Sequence, residues 1–265
     1  MKLMSINTYL DELSSKLVIK DDEKAKITTS VTSIKSKLND YFGSKIIDIV
    51  VFGSYTRGTI LPRKADEESD IDIMVVFEYN SNQYKPQTYL NWLKQFANEY
   101  YSRSEIHQDS PTIVLELNHI KFELVPAYIP FSFSSGVYMI PNGPSDWIMT
   151  KPNDFNTTLT DCNKQNHNMI KPIVRLIKRW NVTNNKRKMQ SFEIEKKIAE
   201  NMYYARYSCS NYTDYLKEAF TKIRDYLNFD EITEAINTID QAIQDENDGL
   251  RVTALSKIQE VFKDI

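Results

Sequence analysis

The stretch DIDIMVVF at residues 70 to 77 constrains this chain more than any other. It is too short for a helix, dense in Ile and Val, and preceded by turn-forming residues, so it reads as a buried strand. Yet it opens on two aspartates one residue apart. In a strand, residues i and i+2 project to one face, so Asp70 and Asp72 aim together while Ile71 and Ile73 enter the core. Two like charges held that close repel unless something positive sits between them. A hard divalent cation such as Mg²⁺ answers that need, taking oxygen ligands and leaving positions for water and substrate phosphate. The alternative, from the residues alone, is a pair of acids in solvent at a strand start.

Upstream, KIIDIVVFGS (45 to 54) reads as another strand, and it ends on a Gly-Ser turn. Gly53 lets the backbone approach a ligand closely, Ser54 adds a hydroxyl, and amides at a strand-to-helix turn can hold a phosphate. Gly-Ser alone is common. Gly-Ser after one strand, then Arg57, Gly58 and Thr59, then paired aspartates opening the next strand is a far more specific order. Arg57 either touches phosphate or anchors the loop by pairing with Asp66, Glu67 or Glu68.

Around these strands, residues 5 to 19 and 22 to 42 carry helical spacing, with Ile27, Val31, Ile34 and Leu38 in one stripe. A helix over 87 to 103 follows, then strands TIVLEL and IKFELVPAYI. This order implies an α+β fold with a mixed sheet and packed helices. From Asn153 onward four segments look helical: IKPIVRLIKRWN, SFEIEKKIAENMYYARY, TDYLKEAFTKIRDYL and ALSKIQEVF. A boundary where Pro144, Pro152 and Asn153 cluster gives lobes 1 to 150 and 151 to 265.

Charge narrows the partners. With 33 basic and 36 acidic residues the chain has no global attraction for long nucleic acid or an anionic membrane, so any anion site is local. Cys162 and Cys209 form no CxxC pair and give no disulfide framework, which suits a reducing cytosol. The N-terminal MKLMSINTYLDELSSKL has no continuous apolar stretch of signal-peptide or membrane-span type, and a cytoplasmic location is expected.

GSYTRGT followed by SDIDIMVVF resembles the signature of DNA polymerase beta type nucleotidyltransferases. Within them it is most similar to the group containing oligoadenylate synthetases, cyclic GMP-AMP synthase and the bacterial CD-NTases. The resemblance implies a two-lobed nucleotidyltransferase core with a helical nucleotide-binding lobe. It implies that the Gly53-Ser54 turn holds the donor triphosphate and that Asp70 and Asp72 bind two metals, Mg²⁺ or Mn²⁺. A third carboxylate, Glu123 in KFELVPAY, stands where relatives often carry Asp. YMIPNGPSDWIMTKPNDF is similar to the family's connection between lobes, and IVRLIKRWN to the helix whose lysine reaches the triphosphate, which would be Lys178. QSFEIE resembles the following Ser-aromatic helix start, with Ser191 as a phosphate contact and Phe192 as a base-stacking residue.

From the residues alone, Lys171, Arg175 and Lys178 line one side of a helix that is as well read as solvated. Ser191 also suits an N-cap, and Phe192 suits the core. Lys178, Arg179, Lys186, Arg187 and Lys188 form a local basic cluster, either a polyanion contact or a solvated helix end and loop. The His-Cys zinc insertion through which the animal enzyme senses DNA has no counterpart among three histidines and two cysteines, so activation by long duplex DNA in that manner is disfavoured.

The expectation is thus a metal-dependent enzyme making cyclic di- or oligonucleotide second messengers from nucleoside triphosphates, in bacterial anti-phage signalling. Its partners would be a regulatory protein and a downstream effector of the cyclic product. Two alternatives stand beside it: a toxin-type nucleotidyltransferase that modifies RNA, protein or a small molecule, and an inactive fold serving as a binding module.

Overall fold

The computed structural model describes residues 4–79, 84–130, 136–227 and 229–265. The chain divides into two units. One comprises residues 20–57 and 68–154 and carries the sheet; the other comprises residues 1–19, 58–67 and 155–265 and is helical. The first helix and the segment 58–67 belong with the helical unit.

In the sheet unit, α2 (Asp21–Phe42) leads into β1 (Ile46–Phe52), the short α3 (Gly53–Arg57), β2 (Asp70–Phe77) and α4 (Pro86–Tyr100). Strands β3 (Glu105–Asp109), β4 (Thr112–Glu116) and β5 (Lys121–Tyr128) follow, then the hairpin β6 (Tyr138–Asn142) and β7 (Asp146–Thr150). The order is β1-β2-β5-β4-β3, with β6 pairing β5 and β7. Only β2 and β5 run parallel among the described pairs. The sheet is therefore mixed, as expected.

One face of β2 and β5, with Ile71, Ile73, Phe77, Phe122 and Leu124, is fully buried. Helices α2 and α4 cover it: Phe42 meets Phe77 edge-on at 5.1 Å, and Phe77 meets Tyr89 at 5.0 Å. The other face carries the acids at the start of β2 and a small apolar cluster of Met74, Val76, Ala127 and Tyr138 further along. Strand β3 (EIHQD) is an edge strand with little apolar character and mostly exposed side chains.

The helical unit contains α1 (Ile6–Lys16), α5 (Asp154–Gln165), α6 (Ile170–Thr183), α7 (Ser191–Asn201), α8 (Tyr212–Arg224), α9 (Asp230–Asn247) and α10 (Arg251–Val261). Ser5 caps α1 by accepting from the Thr8 amide at 3.1 Å, and Asn211 caps α8 through the Asp214 amide at 3.0 Å. Trp180 of α6 sits at the centre of the core, edge-on to Phe220 at 4.8 Å.

The first helix is tied to the last by Tyr9, whose hydroxyl donates to the Phe262 carbonyl at 2.6 Å. Burial, reinforced by Asp264, pushes the Tyr9 phenol up to about 12. A folded-state pKa above the unfolded one gives stability that is complete below about pH 10 and lost as pH rises toward 12. Melting temperature is thus expected to fall across that window, and Tyr9→Phe to flatten part of the fall while costing about 1 kcal/mol at neutral pH.

Candidate functional site

The aspartates stand where the strand alternation puts them. Asp70 and Asp72 are partly exposed on β2, with Ile71 and Ile73 buried between and beyond them. The parallel pairing sets Asp70 beside Lys121 and Asp72 beside Glu123, and neighbours in a parallel ladder project to the same face. Four charged side chains, three of them acids, thereby share one patch. The structure brings Glu123 to the pair through register, which no local spacing could reveal.

Gly53 is built against this patch. Its φ is +77°, in the left-handed region, and a methyl group added there would stand 1.7 Å from Asp72 Oδ2. Glycine is required twice over, by conformation and by the carboxylate packed on it. Gly53→Ala is expected to cost about 1–2 kcal/mol from the backbone alone. It should also displace Asp72, so activity should fall well beyond what the melting temperature explains. Ser54 follows half-buried on α3, and Arg57 at the end of that helix is buried.

Lys121 is the residue the sequence reading missed. Its Nζ lies 3.2 Å from Glu68 Oε2, 3.5 Å from Glu123 Oε1 and 3.9 Å from Asp70 Oδ2. Partial burial works against its charge, but Asp70, the hydrogen bond to Glu68, and Glu123 outweigh it and hold its pKa above the ordinary lysine value. The signal was present as KFE, a lysine two residues before the third acid and hence on its face.

These residues suit a hard divalent cation. The donors are all carboxylate oxygens, and a positive group already stands within 4 Å of two of the three acids. No ready-made cluster of three or more metal-binding side chains occurs among the described residues. Lys121 stands within ion-pair reach of both Asp70 and Glu123.

In the helical unit, Lys178 is not an open cation. It is 5% exposed; its Nζ donates to the Thr59 carbonyl at 3.1 Å and to Glu195 Oε1 at 3.2 Å. Glu195 is fully buried on α7 and also accepts from Thr59 Oγ1 at 2.9 Å. Arg175 donates to the Gly58 carbonyl at 2.9 Å, and Arg179 to the Ala65 carbonyl. Arg175, Lys178 and Arg179 of α6 therefore clamp segment 58–67.

Lys171, half-buried on the same side, differs. Burial and the neighbouring Arg175 and Lys164 lower its pKa against the pull of Glu195. An anion beside it would relieve that strain on its charge.

Ser191 is the first residue of α7 and exposed; Gln190, not Ser191, holds the cap position. The capping role is thus replaced by a hydroxyl in the first turn, where amides favour anions. Phe192 is 44% exposed, not core, and meets Phe155 edge-on at 5.3 Å. In the basic cluster, Arg187 pairs with Asp66 and Lys188 with Glu231, while Lys186 is exposed. Most of that positive charge is already matched.

The family model for the Second Messenger Oligonucleotide or Dinucleotide Synthetase domain matches residues 4–163, which include the glycine turn, both aspartates and Glu123. The chain belongs to that family. A probable cyclic nucleotide synthase of Bacillus cereus strain VD146 is 28% identical over 182 residues, 56% of this chain and 54% of the relative. The chain thus spans about half the length of that curated relative.

Among solved structures, the synthetase fold is matched by Vibrio cholerae DncV cyclic AMP-GMP synthase in complex with the linear intermediate 5′ pppA(3′,5′)pG. That likeness has a TM-score of 0.75, 13% identity, and coverage of 98% of this chain and 96% of the other. Escherichia coli MS115-1 CdnC, solved with ATP and as a complex with HORMA-deltaN, matches at TM-score 0.74 and 14% identity over 98% of this chain. It is covered to 98% and 97% respectively. At these identities the structures establish the fold, a mixed α+β architecture. No helix among the described residues is long and apolar enough to cross a membrane.

Proposed function

We propose that this synthetase-family chain is a metal-dependent nucleotidyltransferase that joins nucleoside triphosphates into a cyclic di- or oligonucleotide second messenger. The observation that carries the proposal is the register of Asp72 beside Glu123, with Gly53 cut away to admit the Asp72 carboxylate. A fold kept only for binding would not need that glycine against that acid.

Asp70, Asp72 and Glu123 would hold Mg²⁺ or Mn²⁺. Divalent ions bound there supply charge neutralisation on the triphosphate and lower the pKa of the acceptor hydroxyl. The hydroxyl of one nucleotide attacks the α-phosphorus of another, and the bond to pyrophosphate breaks. Glu123 is assigned to take the hydroxyl proton. The Gly53-Ser54 turn, Arg57 and the Ser191 hydroxyl are assigned to the donor phosphates, and Phe192 to stacking on a base. Lys178 contributes indirectly by tying α6, α7 and Thr59 together; Lys171 takes its place as the cation of α6 offered to phosphate. Lys171→Ala is expected to raise the KM for nucleoside triphosphate about tenfold with a smaller effect on kcat, a split read from steady-state kinetics.

An RNA acceptor is less well supported, because Arg187 and Lys188 of the basic cluster are spent on Asp66 and Glu231. A cytoplasmic anti-phage role, with a regulatory partner by analogy with the CdnC–HORMA-deltaN complex and a downstream effector, completes the proposal. The test is incubation with labelled nucleoside triphosphates and Mg²⁺ or Mn²⁺, followed by phosphatase treatment, chromatography and mass analysis. A small phosphatase-resistant product formed without RNA is expected. Label transferred only to added RNA or protein would favour the toxin-type alternative.

A further inference from the structure

Strand β5 places Lys121 opposite Asp70 on β2 and opposite Glu116 on β4, so an acid neighbours it on each side of the ladder. Glu123 lies two residues on along the same face, and Glu68 reaches it from just before β2. One ammonium thus stands within 4 Å of three carboxylates, those of Glu68, Asp70 and Glu123, and its side chain is only 12% exposed. Such a position cannot be incidental to cation binding: a unit charge 3.5–3.9 Å from Glu123 and Asp70 competes directly for their oxygens.

We propose that Lys121 is an internal counter-cation of the metal site. It neutralises Asp70 and Glu123 while the site lacks divalent ions, and it is displaced from them when ions load. Mutual repulsion among the acids is held off in the metal-free protein, and metal affinity is set lower than three unopposed carboxylates would give. Free divalent ion alone then occupies the site weakly. Occupancy rises when a triphosphate brings its own negative charge to offset the ammonium, so metal and nucleotide bind with positive coupling. This inference rests on the metal-site reading above.

The experiment titrates the 265-residue chain with Mn²⁺ alone, following bound ion by electron paramagnetic resonance, for wild type, Lys121→Met, Lys121→Arg and Asp72→Asn. Melting temperatures are taken in EDTA. Lys121→Met is expected to bind Mn²⁺ roughly tenfold or more tightly than wild type. It should melt lower in EDTA and show smaller coupling to a non-hydrolysable nucleotide. Lys121→Arg, which keeps the charge, should stay close to wild type. A purely structural lysine would lower stability without tightening metal binding.

Unchanged or weaker Mn²⁺ affinity in Lys121→Met, with binding still abolished in Asp72→Asn, would overturn the counter-cation role and leave the metal site standing. Binding that survives Asp72→Asn would instead sink the metal-site reading itself. If Lys121→Met does not fold, amine acylation of wild type read by mass spectrometry decides. Lys121 should be shielded in EDTA and become reactive with Mn²⁺, and equal reactivity in both would overturn the proposal.

Discussion

Asp72→Asn is expected to abolish product formation from nucleoside triphosphates, by on the order of 10³-fold or more, while leaving the melting temperature within a few degrees of wild type. The amide keeps the shape that packs against Gly53, so the turn has no reason to move. What is lost is one negative oxygen donor at a site where metal-borne charge stabilisation is worth several kcal/mol. Removing a like charge from beside Glu123 also relieves repulsion, so stability should hold or rise slightly. Asp70→Asn and Glu123→Gln should lose activity likewise, with a small loss of stability because each gives up an ion pair with Lys121. Initial rates alongside thermal melts in EDTA separate this from simple unfolding. Residual activity above about a tenth of wild type in all three variants would mean the chemistry lies elsewhere.

The largest effect on stability is expected at a residue no motif singled out. Glu195→Ala leaves the Lys178 ammonium in a site that is 5% exposed, with only the Thr59 carbonyl for a partner. Breaking one side of a buried ion pair costs about 3–5 kcal/mol. For a chain of this size that corresponds to a fall of roughly 6–20 °C in melting temperature. The double change Lys178→Met with Glu195→Leu should recover most of the loss, because the pair's own desolvation cost disappears with it. Additive losses in the double variant would show that α6 and α7 are held by something other than this pair.

The two kinds of residue differ in how far sequence could reach them. The bounds of β2, Asp70–Phe77, coincide with the apolar run read from the chain, and α1, α2 and α4 follow their stripes to within a few residues. Strand alternation alone put Asp70 and Asp72 on one face, because period two is a local property. Glu123 needed the β2–β5 register, which is set by packing across 51 residues and was supplied by family resemblance.

Strand β3 escaped because EIHQD has no apolar alternation; it forms through pairing with β4 at the sheet edge. Helices α5 and α9 stand beyond the four expected in the C-terminal half, although Ile232, Ala235, Ile236 and Ile239 of α9 form a legible stripe. The charge pattern of α6 was readable, but not what covers it. Arg175, Lys178 and Arg179 find their partners in carbonyls of segment 58–67, and a backbone carbonyl leaves no mark on a sequence. That is why the hold of α6 on segment 58–67 could not be read from the chain.

The most direct test is crystallographic: crystals grown with Mn²⁺ and a non-hydrolysable nucleoside triphosphate, with anomalous diffraction measured at the manganese edge. Strong peaks are expected at about 2.0–2.3 Å from carboxylate oxygens of Asp70, Asp72 and Glu123, with Lys121 Nζ moved away from Asp70 and Glu123. Nucleotide bound with no anomalous peak at those three residues, or with the metal coordinated elsewhere, would contradict the assignment of this face to nucleotidyl transfer.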